Sequence, residues 1–511
     1  MTPPRPAALA GALLLLAACR PAPRPHTAVM AWEAFPLSLD PRFGQDQASQ
    51  RLLALTHQGL LKRDATLNLV PDACSAWRWE APFTVLAFDF DRRRAPIYDD
   101  GRALTAEDAK DSLEALLEPG LASPKAGPFR NEIAALEVAR SPEIETLRIT
   151  LKAPSPGFPS NLVRAILGIA PKGMRGPRLP GTGPYRIREV VPEQRILLEA
   201  KPGHPDLAGH GGTPQDLELR LMPDATTRLL ALRHGTLQAT LNNLPPDLLR
   251  PGQGFAVRHF PGANLEYVAF NCQHPVLKDP RVRFALALAT DREAMVRHLR
   301  GGLAREAWGF YPPELPWGAD VRRELGLAPD LESNLRRAEA LLDEAGLRRG
   351  PDGIRFRLTL SSTTETEARM KALALQAMWR RLGVELRIST REFGTLLTEV
   401  IAGKFEAYSI RWVGASDPEM LVEAFHSSKV PPKGFNRGRF ADPEVDRLLE
   451  ASRKAPDAST RFALLRRVQA RLVAQAPYVL LWWPDQIAAV DPRFEIDLNG
   501  VGDYAGIWKR E

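Results

Sequence analysis

Residues 85–108 read VLAFDFDRRRAPIYDDGRALTAED, and this stretch decides the class of fold. Its first seven residues alternate apolar and polar side chains toward their end, as a half-buried β-strand does. Asp100 and Gly101 then mark a turn, and Thr105 places a capping hydroxyl three residues before a carboxylate. The apolar positions that follow share one helical face: Ala109, Leu113, Leu116 and Leu117. A strand followed by a capped amphipathic helix predicts a mixed α/β fold.

The same two patterns recur along the chain, without a repeat of 20 to 50 residues that would indicate a solenoid or a propeller. The predicted strands are 195–200, 217–221 and 384–388, and residues 201–214 form a predicted loop rich in Gly, Pro and His between the first two. The predicted helices are 280–289, a helix capped by Asp291 that ends at Gly301, 335–345 and 368–382. At 511 residues the chain is long enough for two or three domains.

Composition and charge exclude one class of partner. Lys and Arg together number 68 and Asp and Glu 61, a surplus of 7 positive charges. These basic residues are scattered, without the long runs or interleaved aromatic residues that a nucleic-acid groove needs. We therefore expect a solvated surface and no nucleic-acid partner. A hydrophobic content of 44% and a charged content of 25% are ordinary for a globular protein with a sizeable core.

The amino terminus has the layout of an export signal. Arg5 precedes an unbroken small and apolar run over residues 7–18. Twelve helical residues cover roughly 18 Å, which is too short for a bilayer core of roughly 30 Å. Residues 16–19 (LAAC) resemble the bacterial lipobox, which implies cleavage of a signal peptide over 1–18 and a diacylglyceryl anchor on Cys19. The alternative is an ordinary secretory signal with an incidental cysteine. A Pro-rich tether over 19–27 follows in either case.

The remaining cysteines are Cys74 and Cys272. An exported protein would permit a disulfide between them, but two cysteines this far apart make no disulfide framework. Buried free thiols are common, so the sequence favours two unpaired cysteines.

Motifs that carry catalysis are absent from the sequence. It contains no G-x-S-x-G, no H-E-x-x-H, no Walker A motif and no paired cysteine motif. His204 and His210 flank Asp206 at a spacing that fits no established metal site, and we interpret them as part of a surface loop. Gly181 and Gly183 lack the third glycine of a dinucleotide-binding motif and indicate a turn. We expect no enzyme activity, no metal and no cofactor.

Several segments, each weak alone, together resemble the family 5 bacterial extracellular solute-binding proteins. That family includes oligopeptide-binding and dipeptide-binding receptors of ATP-driven importers. The similar segments follow the order expected of the family and lie at 38–41 (SLDP), 58–61 (QGLL), 98–108 (YDDGRALTAED), 181–185 (GTGPY), 267–271 (YVAFN), 279–285 (DPRVRFA), 289–292 (ATDR), 338–342 (AEALL), 345–346 (AG), Trp412 with 417–418 (DP), and 443–446 (PEVD).

The resemblance implies a two-lobed type II periplasmic-binding-protein fold. Lobe one would comprise residues 28–261 plus 484–511, with an extra subdomain at about 43–180. Lobe two would comprise residues 262–483. Two strands would then cross between the lobes and form a hinge that closes on a solute.

The resemblance also implies where a solute would bind. On lobe two the candidate segment is WVGASD at 412–417, and the residues we single out in it are Trp412, Val413, Gly414, Ala415 and Asp417. In peptide receptors this segment pairs with the main chain of an extended peptide. The alternative for Trp412 is a core aromatic residue after a buried strand.

Lobe one would contribute Gln45 and Gln47, counted forward from the SLDP segment to a loop that faces the ligand in oligopeptide-binding proteins. The alternative is a pair of solvent-exposed glutamines before a helix. Trp482 falls near an aromatic wall of the family's cleft, and the alternative for it is a core position.

One departure from the family pattern concerns specificity. Peptide receptors of the family carry an Asp three residues after the motif tryptophan, which binds the α-ammonium group of the peptide. Here that position is Ala415, and the segment is one residue shorter. A buried ammonium without a partner charge is costly, so the sequence leaves two alternatives: Asp417 replaces this anchor, or the solute is not a peptide. Gln238 also stands where the family usually has Asp.

The sequence therefore predicts an exported, lipid-anchored and monomeric solute receptor of an ABC importer, located in the periplasm or otherwise outside the cytoplasm. Its expected partners are a small peptide or peptide-like solute, the importer permease, and the membrane through the lipid. The alternatives are a receptor for a metal chelate, opine or oligosaccharide, a lipid-anchored hydrolase, and a sensor with a degenerate cleft.

Overall fold

The computed structural model describes residues 26–208, 212–241, 244–249, 252–413 and 417–510. The strands, numbered in chain order, are β1 (Thr27–Trp32), β2 (Leu61–Arg63), β3 (Leu69–Pro71), β4 (Ala76–Ala81), β5 (Val85–Asp91), β6 (Ile133–Arg140), β7 (Ile144–Leu151), β8 (Tyr185–Val191), β9 (Arg195–Ala200), β10 (Gly212–Pro214), β11 (Asp216–Leu221), β12 (Ala239–Leu241), β13 (Ala256–Phe260), β14 (Leu265–Phe270), β15 (Ala304–Glu306), β16 (Phe356–Thr363), β17 (Val384–Arg391), β18 (Ala407–Trp412), β19 (Tyr478–Pro484), β20 (Gln486–Val490), β21 (Phe494–Glu495) and β22 (Trp508–Arg510). The α-helices are α1 (Gln47–Thr56), α2 (Ala106–Leu117), α3 (Ala126–Glu132), α4 (Ala225–Arg233), α5 (Pro280–Leu288), α6 (Arg292–Arg300), α7 (Leu331–Glu344), α8 (Thr366–Arg380), α9 (Phe393–Ile401), α10 (Met420–Phe425), α11 (Pro443–Arg453) and α12 (Ala458–Gln475).

The segment at 85–108 folds as predicted. β5 occupies the predicted seven residues, and α2 begins after Thr105. The Thr105 hydroxyl accepts the backbone N–H of Asp108, and the Asp108 carboxylate accepts the backbone N–H of Thr105, which forms a capping box. Two of the four orphan N–H groups at this helix start are therefore satisfied by local sequence alone.

Three sequence-based boundaries are wrong. α7 begins at Leu331 rather than at residue 335, because Asp330 caps it through the backbone N–H of Ser333. β17 continues to Arg391, since β16 pairs with it along eight residues. The predicted loop 201–214 ends in β10, which pairs antiparallel with β22 near the carboxyl terminus.

The first large sheet has seven strands within the described residues, in the order β13-β20-β12-β1-β11-β9-β8. β1 lies near its centre, parallel to both β11 and β12. Both faces of β1 are buried, because Met30 packs into one core and Ala31 into the core on the opposite face. β20 comes from the carboxyl-terminal part of the chain and lies between β12 and β13.

The second large sheet has six strands in the described part of the chain, in the order β15-β19-β14-β18-β16-β17. β14 pairs antiparallel with both β18 and β19. Its residues alternate between two cores: Tyr267 and Ala269 face one, and Val268 and Phe270 face the other. Both faces of this sheet are therefore covered.

A four-stranded antiparallel sheet, β4-β5-β7-β6, forms a smaller unit between β1 and β8 along the chain. Helix α2 packs against it, and its core draws only on residues between Leu60 and Ile169. We call this unit the extra subdomain.

The two cysteines carry free thiols in separate cores. Cys74 is buried in the extra subdomain, and Cys272 lies against the core of the second sheet. Burial raises the pKa of the Cys74 thiol to about 12 and also raises the pKa of Cys272. Both thiols are therefore protonated at neutral pH. Among the described helices, none is both long enough and apolar enough to cross a bilayer.

Candidate functional site

The chain passes between the two large sheets twice, and the two crossings touch. The first crossing follows Phe260 at the end of β13, and the second lies between Pro484 and Gln486. A Cβ atom added to Gly262 would lie 1.9 Å from the carbonyl oxygen of Pro484, so only glycine fits at this contact. Two short adjacent crossings are the construction that a hinge requires.

Polar contacts brace the crossings from both sides. The Asp485 carboxylate lies 3.0 Å from Nδ1 of His259, and the backbone N–H of Asp485 donates to the carbonyl of Leu303. Burial raises the pKa of Asp485, and His259 opposes that shift. The carbonyl of Gly500 accepts the backbone N–H of Ala263, so the carboxyl-terminal tail runs along the same crossing.

Trp412 ends β18 and is half-buried. Its ring stacks on Tyr267 with a centroid distance of 6.3 Å and an angle of 21°, and it meets Phe435 edge-on at 6.0 Å. The Arg437 guanidinium lies 5.5 Å from the Trp412 ring centroid and 5.6 Å from that of Phe435. One face of Trp412 is therefore anchored in the core, while the side chain keeps partial exposure.

The residue after Trp412 is open to solvent. Val413 is 69% exposed, and Phe435 is 48% exposed. Exposed apolar side chains next to a half-buried tryptophan form an apolar surface of the kind that a small solute covers. Gly414 and Ala415 lie outside the described residues, as does Cys19.

Asp417 lies where lobe two approaches the extra subdomain. Its carboxylate accepts the backbone N–H of Glu419 at 2.8 Å, and its carbonyl accepts the Tyr311 hydroxyl at 2.7 Å. The carboxylate oxygen is 3.3 Å from the position of a Cβ added to Gly157, and the Cβ of Glu419 is 3.0 Å from it. The Asp417 segment therefore touches the opposite lobe directly.

Arg63, on the β2–β3 hairpin of lobe one, is a charged residue of this region that sequence reasoning missed. Burial lowers the pKa of the Arg63 guanidinium, and the carboxylates of Asp417 and Asp503 oppose that shift. Charges from lobe one, lobe two and the carboxyl-terminal tail therefore act on one another here. No local sequence pattern marks Arg63, because the carboxylates that act on it, Asp417 and Asp503, are distant from it in the sequence.

The tip of the same hairpin reaches into lobe two. Leu67 has a φ of 64° and is 4% exposed, and it packs in the core cluster that contains Ala263 and Leu265. A leucine in the left-handed region is strained, and burial of its side chain offsets that strain.

The two predicted glutamines lie at an exposed loop and helix start in lobe one. Gln45 is exposed, and its side-chain amide donates to the carbonyl of Pro124 at 2.7 Å. Gln47 is exposed and opens α1, which Asp46 caps through the backbone N–H of Ser49. Their part in solute binding remains a prediction.

Trp482 occupies the core position that the sequence left open as its alternative. It is fully buried and packs with Val268 and Phe270 on one face of the second sheet, while Trp483 packs on the other. A side chain without exposed surface offers no contact to a solute in this conformation.

Gln238 has a structural role. Its amide oxygen accepts the backbone N–H of Val29 at 2.8 Å, and its amide nitrogen donates to the carbonyl of Gly235. An amide both accepts and donates here, which a carboxylate would not do.

The GTGPY segment is held by close backbone approach. Cβ atoms added to Gly181 and Gly183 would lie 1.9 Å and 2.5 Å from backbone atoms of Thr56. The glycines let this segment pack on the end of α1. Among the described residues, no cluster of three His, Cys, Asp or Glu side chains is arranged to hold a metal ion.

Comparison with known proteins identifies the family to which this chain belongs. The family described as bacterial extracellular solute-binding proteins, family 5 Middle, matches residues 93–431 of this chain. That span is well over half of the chain. The chain belongs to family 5 of the bacterial extracellular solute-binding proteins.

Two relatives show how much of this chain resembles other proteins in sequence. A dipeptide-binding protein of Escherichia coli (strain K12) is 27% identical over 308 residues, which cover 59% of this chain and 55% of that protein. Protein XP55 of Streptomyces lividans is 27% identical over 455 residues, which cover 86% of this chain and 80% of that protein. The match to the first relative spans little more than half of its length.

The solved structures confirm the expected two-lobed type II fold. The unliganded open form of the periplasmic murein tripeptide-binding protein MppA superposes with a TM-score of 0.79 at 22% identity, and the match covers 95% of this chain and 97% of that one. The part of Trp412 and Asp417 in solute binding stays a prediction.

Proposed function

We propose that this protein is the exported, lipid-anchored solute-binding receptor of an ABC importer, acts as a monomer outside the cytoplasm, and binds its solute by hinge closure. The observation that carries the proposal is the pair of touching crossings between two separately packed sheets. Solute binds one lobe, closure adds contacts from the other lobe and expels water, and the permease recognises the closed form.

The proposed solute is a peptide or a peptide-like small molecule. A relative in family 5 is named for dipeptide binding, which supports this class. The half-buried Trp412 supplies an apolar face, and Asp417 and Arg63 supply charges of opposite sign on opposite lobes. A zwitterion suits such a pair, because its ammonium and carboxylate groups need separate partners.

A non-peptide solute such as a metal chelate, opine or oligosaccharide is the second candidate. The observation that favours it is Ala415, which stands where peptide receptors of the family carry a carboxylate. Without that carboxylate, the α-ammonium group of a peptide depends on Asp417, whose side chain already accepts the N–H of Glu419.

Native mass spectrometry of gently purified protein identifies any solute that co-purifies, and thermal melts with that solute then test the site. Trp412→Ala is expected to abolish most of the rise in Tm that the solute produces in the wild type. Trp77→Ala is the matched control, because Trp77 is half-buried and stacks on Phe88 in the extra subdomain. An equal solute-dependent rise in both variants would contradict the proposal.

The proposed anchor is tested separately. Labelled lipid is expected in the wild type and not in Cys19→Ala, and equal incorporation in both would refute the anchor.

A turnover assay on peptides and esters tests the hydrolase alternative. Steady product formation would show that the protein is an enzyme and would contradict the proposed receptor function.

A further inference from the structure

Arg437 lies in the loop between α10 and α11 of lobe two and is half-buried. Its guanidinium is 5.5 Å from the centroid of the Trp412 ring and 5.6 Å from that of Phe435, and these two rings meet at an angle of 63°. The guanidinium therefore lies in the angle between two aromatic rings of the proposed solute-binding surface. Stacking on aromatic rings restricts the orientation of a guanidinium.

The loop that carries Arg437 is held in place by contacts on both sides of this residue. Asn436 is fully buried, and its side-chain amide donates to the carbonyl of Phe440 and accepts the backbone N–H of the same residue. The carbonyl of Gly438 accepts the backbone N–H of Cys272. These contacts fix the loop to the core of lobe two, so the guanidinium is placed before a solute arrives.

The charge of Arg437 has no acidic partner in the described part of the chain. No carboxylate there lies within ion-pair distance of its guanidinium, although most buried arginines are paired. Burial opposes the charge, but the neighbouring Tyr267, Tyr408 and Tyr478 outweigh burial and raise the pKa of Arg437. The side chain therefore stays positively charged at neutral pH.

One edge of this guanidinium remains accessible. Nε of Arg437 is buried and has no partner within the described ranges. The two Nη atoms likewise donate to no described residue, but they are not buried. The neighbouring Phe435 side chain is 48% exposed, so this face of lobe two is open. A group on a solute can therefore reach the pair of Nη atoms.

The segment that follows Trp412 supplies no acid to this surface. Residues 414–416 read GAS, and Ala415 stands where peptide receptors of the family carry the Asp that binds an α-ammonium group. Asp417 is the next acid along the chain, and its carboxylate acts on Arg63. The surface around Trp412 therefore has an unmatched positive charge and lacks the negative charge of the peptide receptors.

We propose that Arg437 is a specificity-determining residue of the solute site and binds a carboxylate on the end of the solute that lies against Trp412. This inference rests on the proposed function, because it assigns a residue to the same solute site. The carboxylate accepts from both Nη atoms, in the bidentate geometry that a guanidinium favours. The solute thus presents an anionic end to lobe two, whereas a peptide would present its α-ammonium group there.

Two probes of one shape test the proposal: hippurate, which ends in a carboxylate, and hippuramide, which ends in a neutral carboxamide. Both carry a phenyl ring for the apolar surface and one peptide-like amide, and neither carries an ammonium group. Saturation-transfer NMR on the purified protein is expected to detect hippurate with a Kd on the order of 1 mM and hippuramide at least fivefold more weakly.

Three variants show whether the difference depends on Arg437. Arg437→Gln is expected to weaken hippurate binding at least fivefold and to leave hippuramide within twofold of the wild type. Arg437→Lys keeps the charge but not the planar fork, and it is expected to weaken hippurate at least twofold without affecting hippuramide. Arg369→Gln removes the same charge at an exposed position on α8 of the same lobe, and it is expected to bind both probes as the wild type does.

Four results would overturn the proposal: no transfer from hippurate, hippuramide binding as tight as hippurate binding, no loss of hippurate in Arg437→Gln, or an equal loss of both probes in that variant. The last result would mean that Arg437 only supports the Trp412 ring. If Arg437→Gln does not fold, Arg437→Lys decides the matter by the same comparison of the two probes.

The co-purified solute separates failure of this inference from failure of the proposed function. If the solute raises Tm in Arg437→Gln as in the wild type but not in Trp412→Ala, the receptor function stands and the assignment of Arg437 falls. If the solute raises Tm equally in both variants, the proposed function falls as well.

Discussion

Glu266 carries a charge inside lobe two, at 3% exposure. Its carboxylate accepts from Lys371 Nζ at 2.6 Å and from Arg411, so one acid is shared by two bases. Such an arrangement is sensitive to loss of one partner, because the remaining charge stays buried. The pair joins β14 to α8, which makes Glu266 a test of how this lobe is held together.

Lys371→Met is expected to lower the free energy of unfolding by about 3 kcal/mol, since it leaves the buried carboxylate with Arg411 alone. The measurement is urea denaturation at pH 7. The double variant Lys371→Met with Glu266→Gln is expected to recover much of the loss, because it removes the uncompensated charge. A double variant as unstable as the single one would contradict this account.

Glu266 also predicts a pH dependence. Burial opposes its ionisation, but Lys371 and Arg411 outweigh burial and lower its pKa to about 2. The unfolded value is about 4.3, so the ion pair stabilises the fold above that pH, and this contribution of about 3 kcal/mol is lost as the pH falls toward 2. Denaturation at pH 6, 4 and 2.5 is expected to show a steeper loss for the wild type than for Glu266→Gln. Parallel losses would show that Glu266 is not the titrating group.

At the residue scale, Trp482 occupies the core position that the sequence left open as its alternative, and the part of Trp412 and Asp417 in solute binding stays a prediction. β19 is an interior strand of its sheet, and both of its faces are covered. Its apolar residues therefore form a continuous run, and such a run does not show which side chains face the core and which face a cleft. The sequence did not predict the place of Arg63 because the carboxylates that act on it, Asp417 and Asp503, lie hundreds of residues away.

Elements depend on contacts of two kinds, local and distant. The capping box of α2 is entirely local, which is why the sequence revealed it. β10 depends on pairing with β22, almost 300 residues away, and loop-like composition gave no sign of it. The start of α7 was missed because its cap lies about one turn upstream of the predicted start. The end of β17 was missed because its last residues depend on pairing with the parallel strand β16.

Thr105→Ala is expected to lower the free energy of unfolding by about 1 kcal/mol, since the backbone N–H of Asp108 then lacks its side-chain acceptor. Thr105→Ser keeps the hydroxyl and is expected to stay close to the wild type. Chemical denaturation compares the three proteins, and an equal loss in both variants would mean that the methyl group, not the cap, matters.

Gly181→Ala is expected to destabilise the protein by about 3 kcal/mol, because the added Cβ would overlap the carbonyl oxygen of Thr56. Gly120→Ala is the matched control, since nothing lies within 4 Å of its added Cβ, and we expect a change of at most about 0.5 kcal/mol. Thermal melts compare them. If the two variants behave alike, the close packing of GTGPY on α1 is not what requires glycine.

The whole molecule consists of two packed halves that meet at the crossings, at the β2–β3 hairpin and at the Asp417 segment. Leu67 and Arg63 bring one hairpin of lobe one into contact with lobe two and the tail. These contacts lie on different elements, so the proposed hinge closure would change all of them together.

Gly157→Cys with Glu419→Cys, in a background of Cys74→Ala and Cys272→Ala, is expected to form a disulfide under mild oxidation. The Glu419 Cβ lies 3.0 Å from the Cβ position of residue 157, so a small outward shift of either segment brings the two Cβ atoms to the roughly 3.5–4.5 Å that a disulfide needs. Gel mobility under non-reducing conditions reports the bond, and the single-cysteine proteins are the controls. Persistent free thiols would place these two segments apart in solution.

The most direct measurement of the central claim is small-angle X-ray scattering of the mature protein with and without its co-purified solute. Closure of two rigid halves predicts a smaller radius of gyration with solute than without it. A radius of gyration that stays the same while the solute is demonstrably bound would contradict the account.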